Sequence, residues 1–133
     1  MRRDLSHLSV ARRISWWAGL LSLVLLLPFG KAAAAADDDI RYLIDYVAES
    51  GVRFVRNGDE HTAIEAADHL AMKYRRASRH AKTAEAFIDN LASKSSWTGK
   101  PYTVILPDGQ QREAGPWLYN ALHEYRQRNN GEP

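Results

Sequence analysis

The residues best placed to do chemistry lie between Arg56 and Tyr102. A helix through the middle of the chain advances about 100° per residue. On that helix Glu65, His69, Lys73, Arg76 and His80 fall along one flank, beside its apolar face. Four of these five side chains can carry positive charge, so the flank reads as an edge that binds an anion through charge-assisted hydrogen bonds. The plain alternative is a solvated face held by i,i+4 pairs such as Glu65–His69, each worth about 0.2–0.5 kcal/mol. His69, next to Leu70, also suits a half-buried structural role.

A metal centre would draw on Asp59, His61, Glu65 and His69. Neutral imidazoles and carboxylates suit zinc or a related ion, and Glu65 and His69 stand one helical turn apart. Against this, the chain has no H-E-x-x-H pattern and no cysteine, and Glu65 has another use in a helix cap. His61, read as a loop residue, would also have to fold back. No metal or cofactor is expected; His61 and His69 are the residues a metal would use.

The stretch SKSSWTGKPY offers Ser93, Ser95 and Ser96 near Lys94 and Lys100. A nucleophilic serine needs a base within reach and an oxyanion hole. No S-x-x-K begins at these serines and no nucleophile elbow surrounds them. Gly99-Lys100 lacks the lead-in and the following Ser/Thr of a phosphate loop. The stretch reads as a solvated connector, in which Trp97 is either a core plug or an exposed contact anchor.

The elements that must position these residues follow from periodicity. Asp37-Asp38-Asp39 is a suitable helix start, and Ile40, Leu43, Ile44 and Val47 follow at i, i+3, i+4, i+7. Gly51 stops that helix. Val52–Arg56 reads as a strand ending in the turn dipeptide Asn57-Gly58. Thr62 and Glu65 make a capping box that opens the central helix, with Ala63, Ile64, Ala67, Leu70, Ala71, Tyr74 and Ala77 on its apolar face. Thr83 is suited to cap a second helix through Phe87, Ile88 and Leu91, although one long bent helix over 62–93 is the alternative. Tyr102–Leu106 is a strong strand, Pro107-Asp108-Gly109 a turn, and Gln110–Glu113 a return strand. Pro116 stands in the first turn of a last helix carrying Trp117, Leu118, Ala121, Leu122 and Tyr125. The fold class expected is α+β, a small single domain of three to four helices on a small antiparallel sheet.

The first part of the chain reads differently. Arg2, Arg3, Arg12 and Arg13 precede an apolar run from Ile14 to Phe29, and Ala32–Ala36 supply small side chains for a peptidase. That is the layout of a secretory signal peptide over 1–36, general secretion rather than twin-arginine export, with cleavage placed after Ala36. Ile14–Gly30, at 17 residues, sits at the short limit for a membrane-spanning helix, the alternative reading. No stable membrane anchor is expected after cleavage. Five of the 18 Lys/Arg and one of the 16 Asp/Glu lie in that segment, leaving 13 basic and 15 acidic residues. This balance excludes the clustered basic excess of a nucleic-acid binder. With no cysteine, the domain over 37–126 must hold together by its core alone. Residues 127–133 read as a flexible tail.

The ordered pieces FVRNGDEHT, Ala66-Ala67, His69-Leu70, Lys73, TAEAFID and SKSSWTGKPY resemble the YfeK-like family of small exported bacterial proteins, domain-of-unknown-function family 5329. The likeness runs from about Phe54 to Ile105. It implies a periplasmic protein of a Gram-negative bacterium and a shared fold, and it carries no activity. Positions in the family pattern include Arg56, Asn57, Gly58, His61, His69, Lys73, Thr83, Glu85, Ser95, Ser96, Gly99, Lys100 and Tyr102. A turn, a cap or a strand start accounts for several; Arg56, His61, His69 and Lys73 remain without a structural reason. The function expected is a non-enzymatic periplasmic module that binds an envelope component or a protein partner. Its candidate binding residues are Arg56, His61, His69, Lys73, Ser95, Ser96, Lys100 and Tyr102, with no catalytic residues assigned. The alternative is a small metal-dependent or histidine-based hydrolase.

Overall fold

In the computed structural model, which describes residues 29–131, Asn57 and Gly58 both take positive φ, 52° and 91°. This is the type I′ geometry, whose twist matches that of the strands it joins. It closes a two-residue hairpin between β1 (Arg53–Arg56) and β2 (Asp59–Thr62), with Arg56 opposite Asp59 and Phe54 opposite His61. No strand is expected at DEHT from its side chains, which are poor β-formers. The turn imposes it, since the register of a tight hairpin follows from its loop. His61 therefore does not sit in a loop, as expected, but on a strand, sharing a sheet face with Phe54.

The hairpin is half of a four-stranded sheet in the order β2-β1-β3-β4, with β3 at Thr103–Ile105 and β4 at Gln111–Glu113, every neighbour antiparallel. Phe54 lies opposite Val104, and both are buried. Side chains alternate along a strand, so Arg56 and Tyr102 share that inward face.

The helix α2 (Ala63–Ala77) starts in a complete capping box. The Glu65 amide donates to Thr62 Oγ1 at 3.2 Å and the Thr62 amide to Glu65 Oε2 at 2.8 Å. It buries Ala63, Ala66, Ala67 and Leu70, while Ile64, expected on this face, is exposed. A 3₁₀ turn at Ser78–His80 ends it, so 62–93 holds two helices. Thr83 caps the second, α3 (Ala84–Phe87), accepting from the Ala86 amide at 3.1 Å. The chain then widens into a π-helical turn, Ile88–Ala92.

The first helix, α1 (Phe29–Glu49), begins well before the aspartates expected to start it. Alanine has the highest helix propensity, and Ala32–Ala36 extend the helix back through Gly30. Asp37 and Asp39 make side-chain contacts in place of caps. Asp37 accepts from Tyr74 Oη at 3.0 Å and pairs with Arg41 at 2.7 Å. Asp39 receives Arg126, which also reaches Glu85 at 2.5 Å, joining α1 and α3 to the last helix, α4 (Ala114–Asn129). That helix continues past residue 126, where the tail was expected. The core gathers Ile40, Leu43 and Val47 with Leu70, Phe87, Ile88, Val104 and Leu118. Residues 1–28, which hold most of the expected signal peptide, lie outside the described residues. Among the described residues no helix is long and apolar enough to cross a membrane.

Candidate functional site

Where the inward sheet face meets α2, the structure leaves two adjoining cavities. The inner one, about 160 Å³, lies between Phe54, His61 and Tyr102 of the sheet and Ala66, His69 and Leu70 of α2. The outer one is a more open groove of about 420 Å³ that runs along α2 to the 93–102 loop. Arg56, His69 and Tyr102 line both and form the boundary between them.

Arg56 Nη1 donates to His69 Nε2. A guanidinium has no acceptor, so this contact is compatible with the neutral His69 ring that carries its proton on Nδ1. The environment favours that state. Burial pushes the His69 pKa down, helped by the positive charges of Arg56 and Lys73.

One turn along α2, Lys73 Nζ donates to the Leu91 carbonyl at 2.5 Å and lies 3.5 Å from Tyr102 Oη. Leu91 belongs to the last turn of its helix, where carbonyls lack helical partners. Lys73 is thus a strut between α2 and the π-helical turn. Burial first, then the Arg56 charge, holds its pKa below the ordinary lysine value. Burial raises the Tyr102 pKa, keeping the phenol protonated at neutral pH.

His61 brings an unsatisfied atom. Its Nε2 is buried and has no hydrogen-bond partner among the described residues. Leaving such a group bare costs about 1–3 kcal/mol.

The 93–102 loop is held by Ser95, which is buried. Its Oγ accepts from the amides of Trp97 and Thr98 at 3.3 and 3.2 Å, and its amide donates to the Lys100 carbonyl at 2.9 Å. Ser95 is therefore a loop staple. Ser96 lines the outer groove; Lys100 is exposed and lines neither cavity. Thr98 Oγ1 donates to Asn57 Oδ1 at 2.9 Å, tying this loop to the hairpin turn. Trp97 stands on the groove rim with 92% of its surface exposed, so it is not a core plug.

Of the eight candidate residues, Arg56, His69, Lys73, Ser95, Ser96 and Tyr102 come together on the outer groove, and His61 stands in the adjoining cavity. Along the α2 flank, Arg76 joins the groove, whereas His80 has turned away into the 3₁₀ segment beside Arg79. Arg76, placed on the anion-binding flank by its spacing, and Trp97, read as a core plug or a contact anchor, stand outside the list of eight yet line the groove. The i,i+3 spacing of Lys73 and Arg76 was the signal for the first, and nothing in the sequence settled the exposure of the second.

The groove is electrostatically one-sided. Arg56, Lys73 and Arg76 line it together with His69, and no carboxylate does. The ion pairs among the described residues involve Arg41, Arg53 and Arg126, so none of the three groove cations has a partner of that kind. Of the residues a metal would draw on, His61, Glu65 and His69 line the inner cavity and Asp59 does not. Among the described residues no group of three or more His, Asp or Glu could hold an ion. No histidine is hydrogen-bonded to Ser95 or Ser96 among them either.

Residues 34–126 match the profile of a family described as Family of unknown function (DUF5329). The chain belongs to that family. It is also similar to the Uncharacterized protein YfeK of Salmonella typhimurium (strain LT2), with 40% identity over 85 residues, 62% of this chain and 71% of the relative. No solved structure matches. The DUF5329 span contains both cavities and the whole 93–102 loop, so the site lies inside the domain that defines the family.

Proposed function

We propose that this DUF5329 protein is exported to the periplasm and serves there as a binding module for an anionic envelope component rather than as an enzyme. One observation carries the reading: Arg56, Lys73 and Arg76 line a single groove with no carboxylate among its lining residues. Like charges gathered without a counter-charge repel one another, and a bound anion relieves that repulsion. Trp97 on the rim adds an exposed flat surface on which a sugar or aromatic ring can lie. Export is supported by the three-part layout of residues 1–36 and by the exposure of Lys31–Ala35 on α1, where cleavage would remove no core residue.

A hexose phosphate supplies both an anion and a ring. Titrated into the protein, it should change tryptophan fluorescence saturably. Replacing Arg76 with Glu should weaken binding about tenfold or more, the equivalent of one lost charge-assisted contact. Trp97→Ala should abolish the optical change. Unaltered affinity in both variants would remove the groove from consideration. Recovery of the protein in the spheroplast fraction with residues 1–36 retained would refute export.

A further inference from the structure

We infer that the inner cavity is a subsite for a small aliphatic carboxylate, received by His61 and Arg56, beside the anion-binding groove. This rests on the anion-binding reading above and deepens it.

The size limits the occupant first. At about 160 Å³ the inner cavity is close to the roughly 150 Å³ known to admit a benzene-sized body. Phe54, Ala66, Leu70 and Tyr102 give it apolar walls, which suit a short branched hydrocarbon better than a sugar ring. Its polar groups then set the head group. His61 Nε2 is buried without a partner among the described residues, and in the tautomer that protonates this nitrogen it donates to an acceptor that enters the cavity. Arg56 spends one N–H on His69 and takes part in no ion pair among the described residues. A planar carboxylate can accept from a guanidinium and an imidazole at once.

The one acid lining this cavity, Glu65, turns Oε2 to the Thr62 amide at 2.8 Å in its own helix cap and keeps its negative charge, which Arg56 must offset for a carboxylate to enter. A phosphate dianion is the poorer fit inside, because one guanidinium and one imidazole leave most of its oxygens without donors among apolar walls. It belongs in the outer groove, where Lys73 and Arg76 add charge. The shared lining by Arg56, His69 and Tyr102 sets the two compartments side by side, separated by those side chains.

The test is a histidine-ring and backbone NMR titration of the protein with isobutyrate, with isobutyramide as its uncharged isostere and with inorganic phosphate. Isobutyrate should shift the His61 ring resonances saturably and bind at least tenfold more tightly than isobutyramide. Phosphate should move Lys73 and Arg76 signals and leave His61 in place. Ala66→Leu, which fills the cavity, should abolish the isobutyrate response while keeping that to phosphate. Equal affinity for acid and amide, or isobutyrate shifts confined to Lys73 and Arg76, would overturn the carboxylate subsite while leaving the groove intact. No response to either anion would overturn the anion-binding reading itself. Should Ala66→Leu fail to fold, the comparison of acid with amide on the unaltered protein still decides.

Discussion

Replacing Lys73 with Met tests whether this residue is a strut or only a surface cation. Methionine keeps most of the aliphatic stem in place, so the change is confined to the ammonium group. Lost is the hydrogen bond from Nζ to the Leu91 carbonyl, 2.5 Å long, at a helix end with no other donor assigned to that oxygen. A hydrogen bond involving a charged group contributes about 1.5–3 kcal/mol. Gained is relief from a partly buried cation held beside Arg56, the two effects that depress its pKa. Partial solvent screening keeps that relief to about 1 kcal/mol or less. The net expectation is a destabilisation of about 1–2 kcal/mol, or a fall in Tm of about 4–16 °C for a domain of this size. Arg76→Met is the control, because Arg76 lines the same groove and its side chain is in no ion pair among the described residues. Its Tm should change little, within about 0.5 kcal/mol in stability terms. Thermal unfolding followed by circular dichroism compares the two. An unchanged Tm for Lys73→Met, or an equal drop for Arg76→Met, would refute the distinction between strut and free cation.

Other expectations concern pH and backbone geometry. The folded-state pKa of His69 is depressed by burial and its cationic neighbours, so as pH falls the unfolded chain takes the proton first. Its contribution is present above the ordinary histidine value of about 6.5 and is lost as pH falls from there toward the folded pKa. His69→Gln, which keeps an acceptor for Arg56, should flatten that limb in urea titrations at several pH values. Gly58 sits at φ 91°, where a side chain is strained, and Gly58→Ala should lower stability by about 1–2 kcal/mol, read as a reduced urea midpoint. Arg126 lowers the Glu85 pKa chiefly by its hydrogen bond, which contributes stability above the unfolded carboxylate value and is lost as pH falls through the folded one. Arg126→Met should cost about 1 kcal/mol at neutral pH and shrink the acid-side loss, since both partners are partly exposed.

The parts of the fold visible from sequence are those set by local chemistry. The I′ turn at Asn57-Gly58, the Thr62/Glu65 capping box and the Thr83 cap depend on side chains that bond their own backbone within a few residues. The buried stripes of Ile40, Leu43 and Val47 and of Trp117, Leu118 and Ala121 follow from a period of 3.6. The starting point of α1 was misplaced because capping signals and alanine propensity compete, and propensity extended the helix past the aspartates. The strand β2 was missed because its residues favour it weakly and its partner β1 supplies the reason for it.

The candidate site divides along the same line. Residue type and spacing determined that Arg56, His61, His69 and Lys73 needed an explanation beyond turns and caps, since each is a polar side chain that local structure does not consume. What each does was decided by residues distant in the chain. Lys73 finds a carbonyl 18 positions away, His69 finds Arg56 across 13, and the hairpin turns His61 inward with an unsatisfied nitrogen. Ser95 and Trp97, two residues apart, part company: one is buried as a loop staple and the other is left in solvent. Hydrogen bonding and burial depend on what the rest of the chain places opposite a side chain. Only tertiary packing brings these cations onto one groove with no carboxylate among its lining residues.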